Sequence, residues 1–445
     1  MKKVFIMLVT IITVASSAKI DLNQAQESAL EKNYNYAITK QNVISSELST
    51  KSAFAGFFPT ANLSSSYMMY VPEVEGSSFN PLTMSSVNFT QEDRTAFGIQ
   101  ISQPLFLGGK KYYGYQISKD SESISRNKLS AEMISLLSDV EAQYINVLEM
   151  KELFDISKES LELSKRNEES AKIKFESGLT SRADFLKSSS ARASSEVNVV
   201  NSERGYELAK ISFTNLTGLN DFDLEKIELA TYQGFIDKLK DVNLSKINDK
   251  ANILKDIALK NNNDLKNIHL TKMINEKSIK MTKGNFLPSV NLSYSTEWSK
   301  SNLDDEYNNN GSLVLSASMP ILPFYDNYIV VEKSKIELKK MEITEMQMLD
   351  NLATMINSSL YSLISGSKQL YSSILAVELA EETYFNVEER AKSGISTEDE
   401  LNTARLSLVQ AKYNQVSSYY SILKTKSELM KVLGISDEKE LVELF

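Results

Sequence analysis

Apolar positions along this 445-residue chain follow two rhythms, a long helical one and, in four short stretches, one of period two. Tyr112 to Ser177 is one helical pattern without a proline, roughly 100 Å long at 1.5 Å per residue. Within it Met133, Leu137, Val140, Tyr144 and Val147 step by four and three, the seam of a heptad repeat. Ile20 to Gly56 is helical until Phe58-Pro59 stops it, and Ala251 to Lys283 until Leu287-Pro288. After each proline the rhythm changes. Leu63, Ser65, Tyr67 and Met69 alternate with Asn62, Ser64, Ser66 and Met68, and Val290, Leu292, Tyr294, Thr296 and Trp298 with Asn291, Ser293, Ser295 and Glu297. Return runs oppose Phe97, Ile99 and Ile101 to Gly98, Gln100 and Ser102, and Leu313, Leu315, Ala317 and Met319 to Val314, Ser316 and Ser318. These runs predict strands at about 59–71, 95–107, 288–299 and 312–322, paired as two hairpins with one apolar and one small-polar face.

Each strand is roughly ten residues long, what a tilted strand needs to cross a bilayer. Tyr67, Phe97, Phe106, Tyr294 and Trp298, near strand ends, suit the lipid–water interfaces. A soluble sandwich alternates in the same way. Four strands, however, make neither a good sandwich nor a closed barrel, so unless the edges are covered the strands must come from several chains. The connections Pro72–Arg94 and Lys300–Gly311 are long and polar.

The chain also repeats itself. Phe175–Leu186, FESGLTSRADFL, has a near-copy at Ala391–Asn402, AKSGISTEDELN. Each reads as a helix stopped by a glycine and restarted by a capping box, Ser181-x-x-Asp184 or Thr397-x-x-Glu400, which makes a tight helix–turn–helix tip. Gly394 lies 216 positions after Gly178, as Gly434 lies after Gly218 and Pro320 after Pro104. Ile356, Leu360 and Leu363 repeat the seam of Val140, Tyr144 and Val147 at that spacing, while Pro59 and Pro288 are 229 apart. A tandem duplication follows. The expected organisation is a first repeat at 19–219, a mixed charged segment at 220–250, a second repeat at 251–435 and a tail at 436–445. Beyond the tips, Ser181–Leu216 and Thr397–Val432 are shorter helices of roughly 55 Å. Two short helices end to end match one long one. The fold class is therefore mainly α, with long antiparallel coiled-coil helices and a small membrane β part.

The first residues, MKKVFIMLVTIITVASSA, join two lysines, a short apolar run and small residues, as a signal peptide at 1–18 does. Removing it takes Lys2 and Lys3, and moves the charge from −9 to about −11. An exported acidic chain with no basic stripe argues against a nucleic-acid partner. The chain has no cysteine and one histidine, His269, so neither an N/S metal site nor a Ser/His/Asp set is built within it. Leu107-Gly108-Gly109-Lys110 is a turn after a strand and not a phosphate cradle. No catalytic residue, cofactor or metal site is expected.

Taken together, FFPTANLSSSY at Phe57, NFLPSVNLSYS at Asn285, ISQPLFLGG at Ile101, ASMPILPF at Ala317, the tips SGLTSRADFL and SGISTEDEL, and the closing LTGL at Leu216 and VLGI at Val432 resemble the TolC-like outer-membrane efflux protein family. The resemblance implies a homotrimer in the outer membrane lipid. Twelve strands would close a barrel that an α-helical barrel continues into the periplasm. It implies an exit duct for a tripartite efflux pump or type I secretion system, with a periplasmic adaptor and an inner-membrane transporter as partners. Gly178, Leu179, Thr180, Gly394, Ile395 and Ser396 would then dock the adaptor, and Asp184, Asp399 and Glu400 would form a periplasmic gate. The nearest arginines in sequence, as candidate partners, are Arg182, Arg390 and Arg405. Two departures stand out. Ser177 and Ser393 precede the tip glycines where the family often has Val, and Thr403 stands where some members carry the second of two gate acids. The alternative is a non-conducting periplasmic coiled-coil tether or adhesin-like stalk, which has no need of amphipathic hairpins.

Overall fold

The computed structural model describes residues 19–69, 75–82, 84–90, 93–240, 242, 247–301, 306–322, 324–435 and 441. The signal peptide expected at 1–18 and, save Leu441, the tail at 436–445 lie outside the described residues. In chain order the elements are β1 (Lys19–Ile20), α1 (Leu22–Lys32), α2 (Tyr34–Ala55), β2 (Thr60–Met68), β3 (Glu75–Asn80), β4 (Ser85–Thr90), β5 (Arg94–Leu107), α3 (Lys110–Glu176) and α4 (Arg182–Thr217). There follow β6 (Asp223–Leu224), α5 (Leu229–Lys240), α6 (Ile247–Asn261), α7 (Asn263–Lys283), β7 (Ser289–Ser301), β8 (Asn308–Ser318), α8 (Phe324–Lys392) and α9 (Glu398–Leu433). The sequence α1-α2-β2-β5-α3-α4 recurs as α6-α7-β7-β8-α8-α9. The fold is mainly helical, with α3 and α8 at 67 and 69 residues. Among the described residues no helix is long and apolar enough to cross a membrane.

The chain divides into two compact units. One comprises residues 41–127 and 266–346 and holds the antiparallel sheet β2-β5-β7-β8. Its register places the predicted faces side by side. Leu63, Ile99, Thr296 and Gly311 form one row, and Ala61, Ile101, Tyr294 and Leu313 the next. On the other face stand Asn62, Gln100, Ser295 and Ser312, then Ser64, Gly98, Glu297 and Asn310. Cross-strand bonds tie the polar face: Ser295 Oγ to Ser312 Oγ at 3.0 Å, Ser102 Oγ to Asn291 Oδ1 at 3.2 Å and Arg94 Nη2 to Glu297 Oε1 at 2.7 Å. Proline has no N–H for the ladder, and the β5–β7 register shifts between Pro104 and Phe106.

Strand ends differ from the prediction: β2 stops at Met68, β7 runs on to Ser301, and β8 is displaced at both ends. β8 starts at Asn308 and stops at Ser318, because Asn308–Asn310 pair with Ser299–Glu297 despite their polarity, and Met319-Pro320 leaves the ladder. Within the connection expected at Pro72–Arg94, β3 and β4 form an extra hairpin with Glu75 paired to Thr90. Its Ser- and Asn-rich strands lack the apolar alternation that would reveal them.

The other unit comprises residues up to 40, 128–265 and 347 onward. The predicted seams form its core: Val140, Tyr144, Val147, Ile356, Leu360 and Leu363 are all at most 2% exposed. The single helices expected at Ile20–Gly56 and Ala251–Lys283 are each broken at an asparagine. Asn33 Oδ1 accepts from Tyr36 N at 3.1 Å, and Asn33 Nδ2 donates to Leu216 O at 3.4 Å. Asn262 Oδ1 accepts from Asp264 N and Leu265 N, both at 3.0 Å, and its Nδ2 donates to Val432 O at 3.1 Å. Each asparagine thus starts one helix and ties it to the end of another. Segment 220–250 contains structure that its composition does not show. β6 pairs parallel with β1, α5 buries Phe235, Ile236 and Leu239, and the Tyr144 hydroxyl lies 3.0 Å from Ile20 O and 2.7 Å from Glu225 O.

Candidate functional site

Both predicted tips are built by the same backbone geometry. At the first, Leu179 N donates to Lys174 O at 2.8 Å and Gly178 N to Phe175 O at 3.0 Å. At the second, Ile395 N donates to Arg390 O at 2.8 Å and Gly394 N to Ala391 O at 3.1 Å. These paired bonds satisfy the last carbonyls of α3 and α8 and require a left-handed residue, which Gly178 (φ 72°) and Gly394 (φ 74°) supply. Leu179 is 80% exposed and Ile395 69%, so each turn presents a large apolar side chain to solvent.

The restarts differ in chemistry. Thr397 Oγ1 accepts from Glu400 N, and Glu400 Oε2 accepts from Thr397 N, each at 3.2 Å, which is a full capping box. At the first tip Ser181 Oγ accepts from Asp184 N at 3.2 Å, but the reciprocal bond expected from the sequence is replaced. The Asp184 carboxylate, one methylene shorter than Glu400, instead accepts from Ser181 Oγ at 2.7 Å and Thr180 Oγ1 at 3.2 Å. Those hydroxyls hold the Asp184 carboxyl below its ordinary pKa. Its charge therefore persists through mildly acidic pH, and the stability tied to it fades only as pH falls through that lowered value. Asp399 makes neither capping bond; its nearest cation is Lys187, with Nζ 4.0 Å from Oδ1.

Two residues that sequence reasoning passed over bring the tips together. Lys174, in the last turn of α3, reaches Glu398 Oε1 at 2.9 Å and Ala391 O at 3.2 Å. The Glu398 side chain is only 7% exposed, so this pair is screened less by salt than a surface ion pair. A basic last turn and an acidic first turn are the only sequence signals for it. Of the expected arginine partners, Arg182 and Arg390 are exposed and pair with no carboxylate among the described residues. Arg405 is buried against hydroxyls rather than acids. His269 faces Glu345, with Nδ1 3.2 Å from Oε1, and remains 57% exposed, in keeping with a solvated role.

The sequence model of the outer membrane efflux protein family matches residues 25–219 and 254–435. In fold the chain is similar to the Campylobacter jejuni CmeC outer membrane channel, with a TM-score of 0.78 and 16% identity over 95% of this chain and 88% of that one. VceC, an outer membrane protein from Vibrio cholerae, gives 0.75 and 14% over 93% and 96%. The open state of the Neisseria gonorrhoeae MtrE outer membrane channel gives 0.72 and 16% over 93% and 89%. At these identities the likeness to solved structures is one of fold. No curated protein sequence matches this chain.

Proposed function

Because the chain belongs to the outer membrane efflux protein family, we propose that it is the exit duct of a tripartite efflux pump or type I secretion system. It is an outer-membrane conduit and not an enzyme. In this reading a periplasmic adaptor joins it to an inner-membrane transporter, and the protein is a homotrimer whose protomers are tandem repeats at 19–219 and 251–435 around a 220–250 linker. The observation that carries the reading is the sheet. Among the described residues β2 and β8 each pair on one side only, and one face is apolar while the other is small and polar. Such open edges do not persist in a membrane, since every backbone group there must be paired. Three copies supply twelve strands, enough to close a barrel with a wet lumen. Imaging the detergent-solubilised particle tests this. A three-fold hollow tube is expected, and a solid rod overturns it in favour of a tether.

The faces give a residue-level test. Cysteines introduced at Ile99, Ile101 and Leu315 should resist water-soluble thiol reagents, while those at Gln100 and Ser316 react. Equal labelling of the two sets would remove the barrel assignment.

In this reading Gly178, Leu179, Thr180, Gly394, Ile395 and Ser396 dock the adaptor, and Asp184, Asp399 and Glu400 ring the periplasmic opening. Three-fold symmetry would gather nine carboxylates there. Asp184 and Glu400 also help to start their helices, Glu400 by completing the capping box and Asp184 by accepting from the Ser181 and Thr180 hydroxyls. Asp399 does not, so Asp399→Ala separates the roles. We expect its thermal midpoint to hold, the change costing within about 0.5 kcal/mol, and the cation selectivity of reconstituted channels to fall. Unchanged selectivity and conductance in intact trimers carrying Asp184→Ala, Asp399→Ala and Glu400→Ala together would remove the ring and leave Asp184 and Glu400 with their roles at the helix starts alone.

A further inference from the structure

Arg405 stands out because its charge is buried without a counter-charge. It is 3% exposed. Its guanidinium donates from Nη1 to Ser160 Oγ at 2.7 Å and Ser195 Oγ at 3.2 Å, and from Nη2 to Asn402 Oδ1 at 3.0 Å. All three acceptors are neutral, and among the described residues no carboxylate pairs with it. Burial pushes the guanidinium pKa down, as expected for a cation with no anion to hold it. Such a charge is costly unless paired. The arrangement is also built, since Ser195 Oγ is shared with Ser164 Oγ at 2.8 Å and so is fixed by the helix beside it.

Arg405 lines a cavity of about 340 Å³ between α3, α4 and α9. The ionic neighbours in its lining are Lys187, Glu398 and Asp399. Glu398 is engaged by Lys174 at 2.9 Å, and Asp399 lies 4.0 Å from Lys187. Glu398 is therefore firmly paired, the exposed Lys187 is held only loosely by Asp399, and Arg405 has no acid among the described residues. Hydroxyl and amide groups complete the wall at Ser164, Ser188, Ser194 and Asn402.

We propose that this cavity binds one small free oxyanion, phosphate or carboxylate, held by the Arg405 fork and by Lys187. Guanidinium and oxyanion match in geometry, and a second cation from another helix fixes the anion against both walls. The bound anion would tie α4 and α9, the helices that leave the two tips, to α3. Nothing in this depends on the duct reading, because a single chain supplies every group.

Full-length purified protein, dialysed into chloride buffer, is titrated with sodium phosphate and separately with sodium citrate at constant ionic strength. Thermal midpoint and calorimetric heat are read. We expect a saturable rise with one site per protomer that equal ionic strength of chloride does not give. Lys187→Ala should weaken binding on the order of tenfold. Arg405→Gln should abolish it, and Arg405→Lys, which keeps charge but loses the fork, should weaken it by at least as much as Lys187→Ala. Asp399→Asn should strengthen binding, because it releases Lys187. If Arg405 variants do not fold, the Lys187 and Asp399 variants decide, since both side chains are largely exposed, at 60% and 76%. No saturable rise, or identical affinities in Lys187→Ala, Asp399→Asn and the parent, overturns the proposal. So does a structure of the assembled protein in which an acidic side chain of another chain fills the cavity.

Discussion

Adding a single methyl group at Gly108 or at Gly284 is expected to lower the thermal midpoint and the yield of the protein sharply. The turn Gly108-Gly109 between β5 and α3 crosses the short 3-10 turn Gly284–Phe286 between α7 and β7, backbone against backbone. A Cβ on Gly108 would overlap the carbonyl oxygen of Gly284 and lie 3.0 Å from its carbonyl carbon. A Cβ on Gly284 would overlap the carbonyl oxygen of Gly108 in return. Neither obstacle is a flexible side chain, so one of the two chain segments has to move. Overpacking of this kind costs about 1–3 kcal/mol. Gly108, at φ 63°, adds the left-handed strain of about 1–2 kcal/mol. Gly108→Ala should therefore be the worse of the two. Yield of assembled protein and thermal midpoint measure it, with Gly114→Ala as the control, since a Cβ there meets nothing within 4 Å. That helical substitution should stabilise by about 0.5–1 kcal/mol. If all three variants melt with the parent, the crossing is not as close as described.

The turn at Leu107–Lys110 was legible in the sequence, but the crossing was not. Two glycines 176 positions apart carry no pattern that says they meet. The same division runs through the whole chain. The strand faces were readable because a period of two leaves no freedom: once Ile99 is on one face, Gln100 is on the other. The tips were readable because a left-handed stop and a capping box are local and use restricted residue types. What escaped was set by contacts between distant segments. Asn33 sits within an uninterrupted helical rhythm, and its bond to Leu216 O, 183 residues away, joins the local bond from Tyr36 N in favouring a break there. Arg405 reads as one more charge on a solvated helix, and its burial depends on Ser160 and Ser195 on two other helices. Asp184 was half legible. Its place at the third helical position was clear, but one missing methylene changed its partner from a backbone N–H to two hydroxyls.

Gly178→Val and Gly394→Val together are expected to leave the protein assembled and to stop most of its transport. Here the physics is the opposite of that at Gly108. A Cβ at either tip meets nothing within 4 Å, so the only penalty is backbone strain at φ 72° and 74°. That strain is about 1–2 kcal/mol per site, more for a β-branched residue, and it falls on a surface turn whose distortion need not reach the buried seams. The turn can relax by leaving the left-handed region, which breaks the bonds from Leu179 N to Lys174 O and from Ile395 N to Arg390 O and turns Leu179 and Ile395 away from their present positions. Two exposed apolar side chains, duplicated on two glycine turns, have no packing duty inside the chain and suit a partner surface. In a pump-dependent strain the double variant should therefore lose at least roughly tenfold of its export, equivalent to about 1.4 kcal/mol or more of docking free energy. Its thermal midpoint should fall only by the turn strain. Gly178→Asn with Gly394→Asn separates shape from composition, because asparagine tolerates the left-handed region and should keep most activity. Leu179→Ser with Ile395→Ser keeps both turns and removes the apolar contact, and should lose export without any strain. Normal export by the valine and serine pairs alike, at parental expression, would take the docking role away from the tips.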